Sequence, residues 1–441
     1  MAFRTHTNQP DFSASQKTWY KLDLSAIVYP TLQRRNFSSV YRLSVLLKEP
    51  VLPEVLQKAA DIALKRFPTY KVAIHKGLFW RYLEPNTRPG PFVRPDISNP
   101  CMPMYFKSGN RYLLRIYYYD RRISLECHHC LGDGTGGMHL LQTITAVYLR
   151  LLGAKIPNEY FVLDVDGTPH PEELEDAYMR YANATYRPPR PAEKTYRVRG
   201  TPEPLHTLNV IDGIMSVKEV NVAAKQYHAT ITEYLNAVLL YALLQKQERD
   251  FHIRLRPVRI AMPVNLRRFF PSRTLRNFIS MVYPSIDPRL GEYTFEEIVV
   301  QVRNFMRYYI NEKFLRGDIT TNAATTRNPL IRVVPLFIKD IVVRTFYRRV
   351  QDKNSSAGLT NMGAVKVPEA MKPYIERFDI YMGQPFSSRT NCAVISFEDT
   401  LTVNFASCIV EADVERLFFR KLVEDGIHVT IESNRSFHEK E

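Results

Sequence analysis

Apolar positions in the first half of the chain alternate between the two-residue period of strands and the wider spacing of helices. Residues 41–47 are dense in apolar side chains and predict a strand. Pro53 opens a helix in which Val55, Ala59, Ile62 and Ala63 share one face. Pro68 stops it, because the residue preceding a proline avoids the helical region. Residues 72–83 predict a hairpin turning at Lys76-Gly77, and a second hairpin runs from 112–119 through Asp120-Arg121-Arg122 into 123–128. In that returning strand Ile123, Leu125 and Cys127 face one way, and Ser124, Glu126 and His128 the other. A glycine-rich stretch, 132–137, then leads into a helix with Met138, Leu141, Thr145, Tyr148 and Leu152 on its buried face.

Residues 183–204 carry prolines and charges that disfavour both regular structures and predict a linker between an N-terminal lobe, 1–182, and a C-terminal lobe, 205–441. Past it the mixed pattern resumes. Thr230-Ile231-Thr232-Glu233 predicts a capped helix to about Gln247, 258–262 a strand, and Thr294-Phe295-Glu296-Glu297 a second capped helix through Phe314. Residues 374–381, 391–397 and 401–406 predict strands, and Asp413 opens a last helix closed by Gly426. Both halves are α/β with mixed sheets, and a cleft between two lobes is a favoured place for a ligand.

Composition narrows the function classes. A chain of 441 residues is too long for one ordinary core. No apolar run reaches the roughly 18–20 residues of a membrane helix. The polar start, Met1 to Asn8, lacks a secretory apolar core, and five cysteines do not make a disulfide framework, so a reducing cytoplasm is expected. The net charge of +15 suits an anionic partner, but the basic residues are scattered, without a nucleic-acid-binding module. Cys127 and Cys130 have a metal-like spacing, yet no second ligand pair stands nearby, and no metal is expected. No phosphate loop, dinucleotide fingerprint or nucleophile elbow is present.

The chemistry concentrates in His128-His129-Cys130-Leu131-Gly132-Asp133-Gly134, which leaves a strand and enters a helix through a tight turn. An imidazole titrating near neutrality there can take a proton from an attacking hydroxyl or amine.

This string resembles the HHxxxDG signature of the condensation-domain and chloramphenicol-acetyltransferase superfamily, which includes stand-alone alcohol O-acyltransferases. Three further stretches resemble that superfamily by position: 66–71, 263–267 and 356–361. The resemblance implies a pseudo-dimeric two-lobe fold with an inter-lobe tunnel. It implies His129 as the catalytic base for direct transfer from an acyl thioester, on coenzyme A or an acidic acyl carrier protein, to an alcohol or amine. No cofactor is implied. His128, Asp133 and Gly134 would shape the site, with Lys71 or Arg267 as the partner of Asp133. Ser356, Thr360 and Asn361 are candidate donors to a developing oxyanion. The competing reading is a condensation-like protein that binds or docks without catalysis.

Overall fold

The computed structural model describes residues 19–33, 37–186, 188, 193–250, 254–349, 354–383 and 388–435. The polar start of the chain and linker residues 187 and 189–192 lie outside them.

Most predicted elements occur within a residue or two of their expected limits. Both hairpins form, as Val72–Lys76 with Arg81–Pro85 and Leu114–Tyr119 with Arg122–His128. The helix Pro53–Ala63 ends in a short 3-10 turn, Leu64–Arg66, just ahead of Pro68. Both capping boxes close, Thr230 with Glu233 ahead of Ile231–Arg249 and Thr294 with Glu297 ahead of Phe295–Tyr309. The expected helix through Phe314 is two helices instead. It stops at Tyr309, and Asn311 accepts from the Phe314 amide to cap a new helix, Glu312–Arg327.

Two large sheets organise the molecule. One has five strands in the order Ile375–Met382, Val40–Leu47, Arg122–His128, Leu114–Tyr119, Val93–Pro95. The other has eight and is centred on Val258–Asn265, Ala357–Ala364, Thr390–Phe397 and Thr400–Ser407. Each contains both parallel and antiparallel pairs. A three-stranded sheet joins Tyr20–Lys21 to the first hairpin.

The two hydrophobic cores do not divide at the linker. Ile375–Met382, from late in the chain, pairs with Val40–Leu47 and forms the edge of the first sheet. Met371, Phe378 and Phe397 pack into the first core, while Tyr178 and Leu24 pack into the second. The expected linker is itself anchored: Tyr196 is buried and donates its amide to Pro257 O at 2.9 Å.

Candidate active site

The strand leading into the motif is covered on both faces. Ile123, Leu125 and Cys127 enter the first core, as their alternation predicts. The polar face is sealed as well. Ser124 and Ser44 hydroxyls meet at 2.8 Å, and Arg42 bridges Glu126 at 2.8 Å and Asp96 at 2.5 Å. A buried carboxylate needs such partners to offset lost hydration.

Past the strand, the His129 amide donates to Ser39 O at 2.9 Å, and the Cys130 amide donates to His128 Nδ1 at 3.1 Å. Asn277 crosses from the other half of the chain and donates to the His129 carbonyl at 2.8 Å, while also donating to buried Asp23. The His129 ring is half-buried between Tyr29, nearly parallel at 4.8 Å, and Tyr41, tilted at 4.7 Å. Its Nδ1 has no hydrogen-bond partner among the described residues. Burial lowers the His129 pKa to about 4, against an opposing pull from the Asp133 charge. His128 is held lower, at about 3, by burial and by its charged-form repulsion from His129. Both imidazoles are therefore neutral at pH 7.

Asp133 caps the helix Gly134–Leu151. One carboxylate oxygen accepts from the Thr135 and Gly136 amides at 3.1 and 3.2 Å. The other accepts from Arg267 Nη1 and the Phe278 amide, each at 2.8 Å. Arg267 donates onward to the carbonyls of Thr274 and Arg276, so the motif turn is tied to the second half of the chain. Four accepted bonds make Asp133 an anchor and leave it no capacity for a proton relay. Of the two partners considered for it, Arg267 makes the pair. Lys71 is exposed, and its neighbour Tyr70 is the residue that turns inward, donating to Leu275 O at 3.1 Å.

A Cβ on Gly134 would come 2.8 Å from Met362 Sδ, so this glycine admits a neighbouring side chain. Gly136 is more tightly placed, because a Cβ there would fall on the Leu275 carbonyl and the Tyr70 hydroxyl.

The three candidate oxyanion donors separate. Ser356 is fully buried, and its hydroxyl accepts from the Arg259 amide at 3.2 Å. Asn361 donates to Thr232 Oγ1 at 2.9 Å and accepts from the Gly363 amide at 2.7 Å, so both ends of its amide are engaged within the second lobe. Thr360 is half-buried on the same strand as Met362, just ahead of the register shift between Asn361 and Ala364. Tyr29, Tyr41 and Asn277 were not legible as site residues. Each reaches His129 through tertiary packing, with no local pattern to signal it.

Among the described residues no group of three or more His, Cys, Asp or Glu side chains is arranged to hold a metal ion. A cavity of about 660 Å³ lies away from the motif, lined by Tyr196, Arg197, Val198, Arg199, Gly200, Arg254, Arg256 and Arg389. It adjoins Pro257, at the start of the strand Val258–Asn265, whose last residue donates to Thr135 in the motif helix. At about 3.3 Å per residue, roughly 23 Å of strand separates the two places.

No protein-family model matches the sequence, and no curated protein matches it. The fold has many solved counterparts. The first condensation domain of the calcium-dependent antibiotic synthetase is 15% identical with a TM-score of 0.60, over 93% of this chain and 99% of that one. The starter condensation domain of rhizomide synthetase, solved with C8-CoA and Leu-SNAC, is 12% identical with a TM-score of 0.60, over 93% and 95%. Trichothecene 15-O-acetyltransferase from Fusarium sporotrichioides is 12% identical with a TM-score of 0.58, over 92% and 94%. The chain has the two-lobe condensation and chloramphenicol-acetyltransferase-like fold.

Proposed function

From a fold shared with condensation domains and an O-acetyltransferase, we propose that this chain transfers an acyl group from a thioester to an alcohol or amine, with His129 as the general base. The observation that carries the reading is a half-buried, neutral imidazole at the seam of the two lobes, on a turn locked by Asp133 and Arg267.

In this scheme the His129 imidazole takes the proton of the acceptor hydroxyl as its oxygen attacks the thioester carbon. The new C–O bond forms, the C–S bond breaks, and the imidazolium returns the proton to the departing thiolate. The Thr360 hydroxyl is the donor we assign to the carbonyl oxygen as it becomes negative. No metal or cofactor enters the scheme. The arginine-lined cavity supports a donor that carries phosphate, as coenzyme A and the prosthetic arm of an acyl carrier protein both do. An alcohol is favoured as acceptor over an amine, because a neutral hydroxyl depends on a base to reach useful nucleophilicity.

Incubation with a panel of acyl-CoA thioesters and of alcohols and amines, with free thiol followed, tests the reading. Acceptor-dependent thiol release is expected, falling by about 10²–10⁴-fold in His129→Ala. Release that persists unchanged in the variant removes His129 from the chemistry. Silence with both coenzyme A and loaded carrier donors favours the non-catalytic docking protein.

A further inference from the structure

The helix Leu336–Arg349 lies across the short helix Tyr29–Leu32, and its inner face is firmly held. Asp340 accepts from Thr31 Oγ1 at 2.9 Å and from both terminal nitrogens of Arg81, at 2.9 and 2.6 Å. Arg344 Nε donates to Thr31 O at 2.8 Å. The Leu336 amide donates to Leu78 O at 2.8 Å, which fixes the tip of the first hairpin beside the helix.

The outer face is apolar and open. Phe337 and Ile341 share one face of this helix at a step of four residues, with Val342 and Phe346 beside them, while exposed Leu330 lies on the preceding short helix Pro329–Arg332 and exposed Val333 at its end. Phe337 is 65% exposed and Ile341 61%. The adjoining hairpin adds Leu78 at 69% and Trp80 at 53%. Scattered exposed apolar residues need no explanation, but a contiguous patch built from two separate elements does. Arg332 and Lys339 lie along the same segment, Lys339 Nζ donating to Phe79 O at 2.9 Å and to Arg332 O at 3.1 Å, while Asp340, the helix's one acidic residue, is turned inward onto Arg81.

We propose that this face seats the protein on an anionic lipid surface, with the helix lying in the plane of the interface. An apolar stripe bordered by cations, with an aromatic residue at the edge, is the arrangement such surfaces select. The charge decides between occupants. Two copies of this face would bring like charges together, whereas an anionic bilayer complements them, and the whole chain carries +15. No helix among the described residues is long and apolar enough to cross a membrane, so the contact is peripheral. Beneath the same helix, Tyr29 stacks on His129, which puts the seated face one short helix away from the imidazole. The seating does not depend on the acyl-transfer reading.

Co-sedimentation of the full chain with vesicles of phosphatidylcholine alone, or mixed equally with phosphatidylserine, tests the proposal. The protein is expected to sediment with the mixed vesicles. Binding should weaken at least tenfold in Phe337→Ser/Ile341→Ser and several-fold in Arg332→Gln/Lys339→Gln, and stay unchanged in His129→Ala. Because the first two residues are exposed, their variant should keep the wild-type circular dichroism and melting temperature. Wild-type protein that remains in the supernatant with mixed vesicles overturns the proposal. So does equal sedimentation of the folded Phe337→Ser/Ile341→Ser variant. A lipid-free dimer that this variant abolishes, without vesicle binding by the wild type, would assign the face to a second copy and equally overturn it.

Discussion

At the scale of single residues, the site depends on groups kept neutral or fully partnered. His128 and His129 have folded pKa values of about 3 and 4, below the ordinary 6.5. The unfolded chain therefore takes up protons first on acidification, and the stability associated with neutral imidazoles is complete above pH 6.5 and lost as pH falls toward 3. The melting temperature should decline between pH 6.5 and 4, and less steeply in His128→Asn; identical slopes would remove His128 as a cause. Asp133 gives a different test. Asp133→Ala strands the Arg267 guanidinium and the Phe278 amide and should lower stability by roughly 3–5 kcal/mol in denaturant unfolding. Asp133→Asn retains a cap for the motif helix and should lose markedly less. An unshifted midpoint in the alanine variant would contradict the anchoring role.

At the scale of elements, the sequence was most readable where local physics decides the outcome. Capping boxes, prolines and alternation marked both hairpins and most helix starts. Asn311 was missed as a cap because the apolar spacing runs on past it, and only its bond to the Phe314 amide divides the helices. In the site, the motif itself announced His129 and Asp133, since their spacing is local. The stacking of Tyr29, the cross-chain bond of Asn277 and the separation of Ser356 and Asn361 from Thr360 are tertiary, and nothing in a local window reports them. Gly136 shows the same limit. Its environment comes from Leu275 and Tyr70, far along the chain in both directions. Gly136→Ala should displace the start of the motif helix and reduce both the melting temperature and kcat. Gly134→Ala should be milder, because Met362 is flexible enough to move aside.

At the scale of the whole molecule, the positive charge is unevenly spent. Arg199, Arg254, Arg256 and Arg389 have no ion pair among the described residues, yet line one cavity with Arg197. If a phosphorylated donor binds there, Arg254→Gln/Arg256→Gln should raise KM for acyl-CoA about tenfold or more while leaving kcat and the KM for an acyl-pantetheine thioester unchanged. Equal effects on both donors would place the cavity outside donor binding. The salt dependence of KM should flatten in the same variant.

The crossing strand Ile375–Met382 has a consequence for biosynthesis. Until residue 382 has emerged from the ribosome, Val40–Leu47 has no neighbour on one side, and the amide and carbonyl groups of an apolar strand stay unpaired. The first lobe cannot be completed during translation of the first half of the chain. It must wait for the late segment, exposed to misassembly in the interval, and a chaperone that shields that edge would raise the yield of native protein.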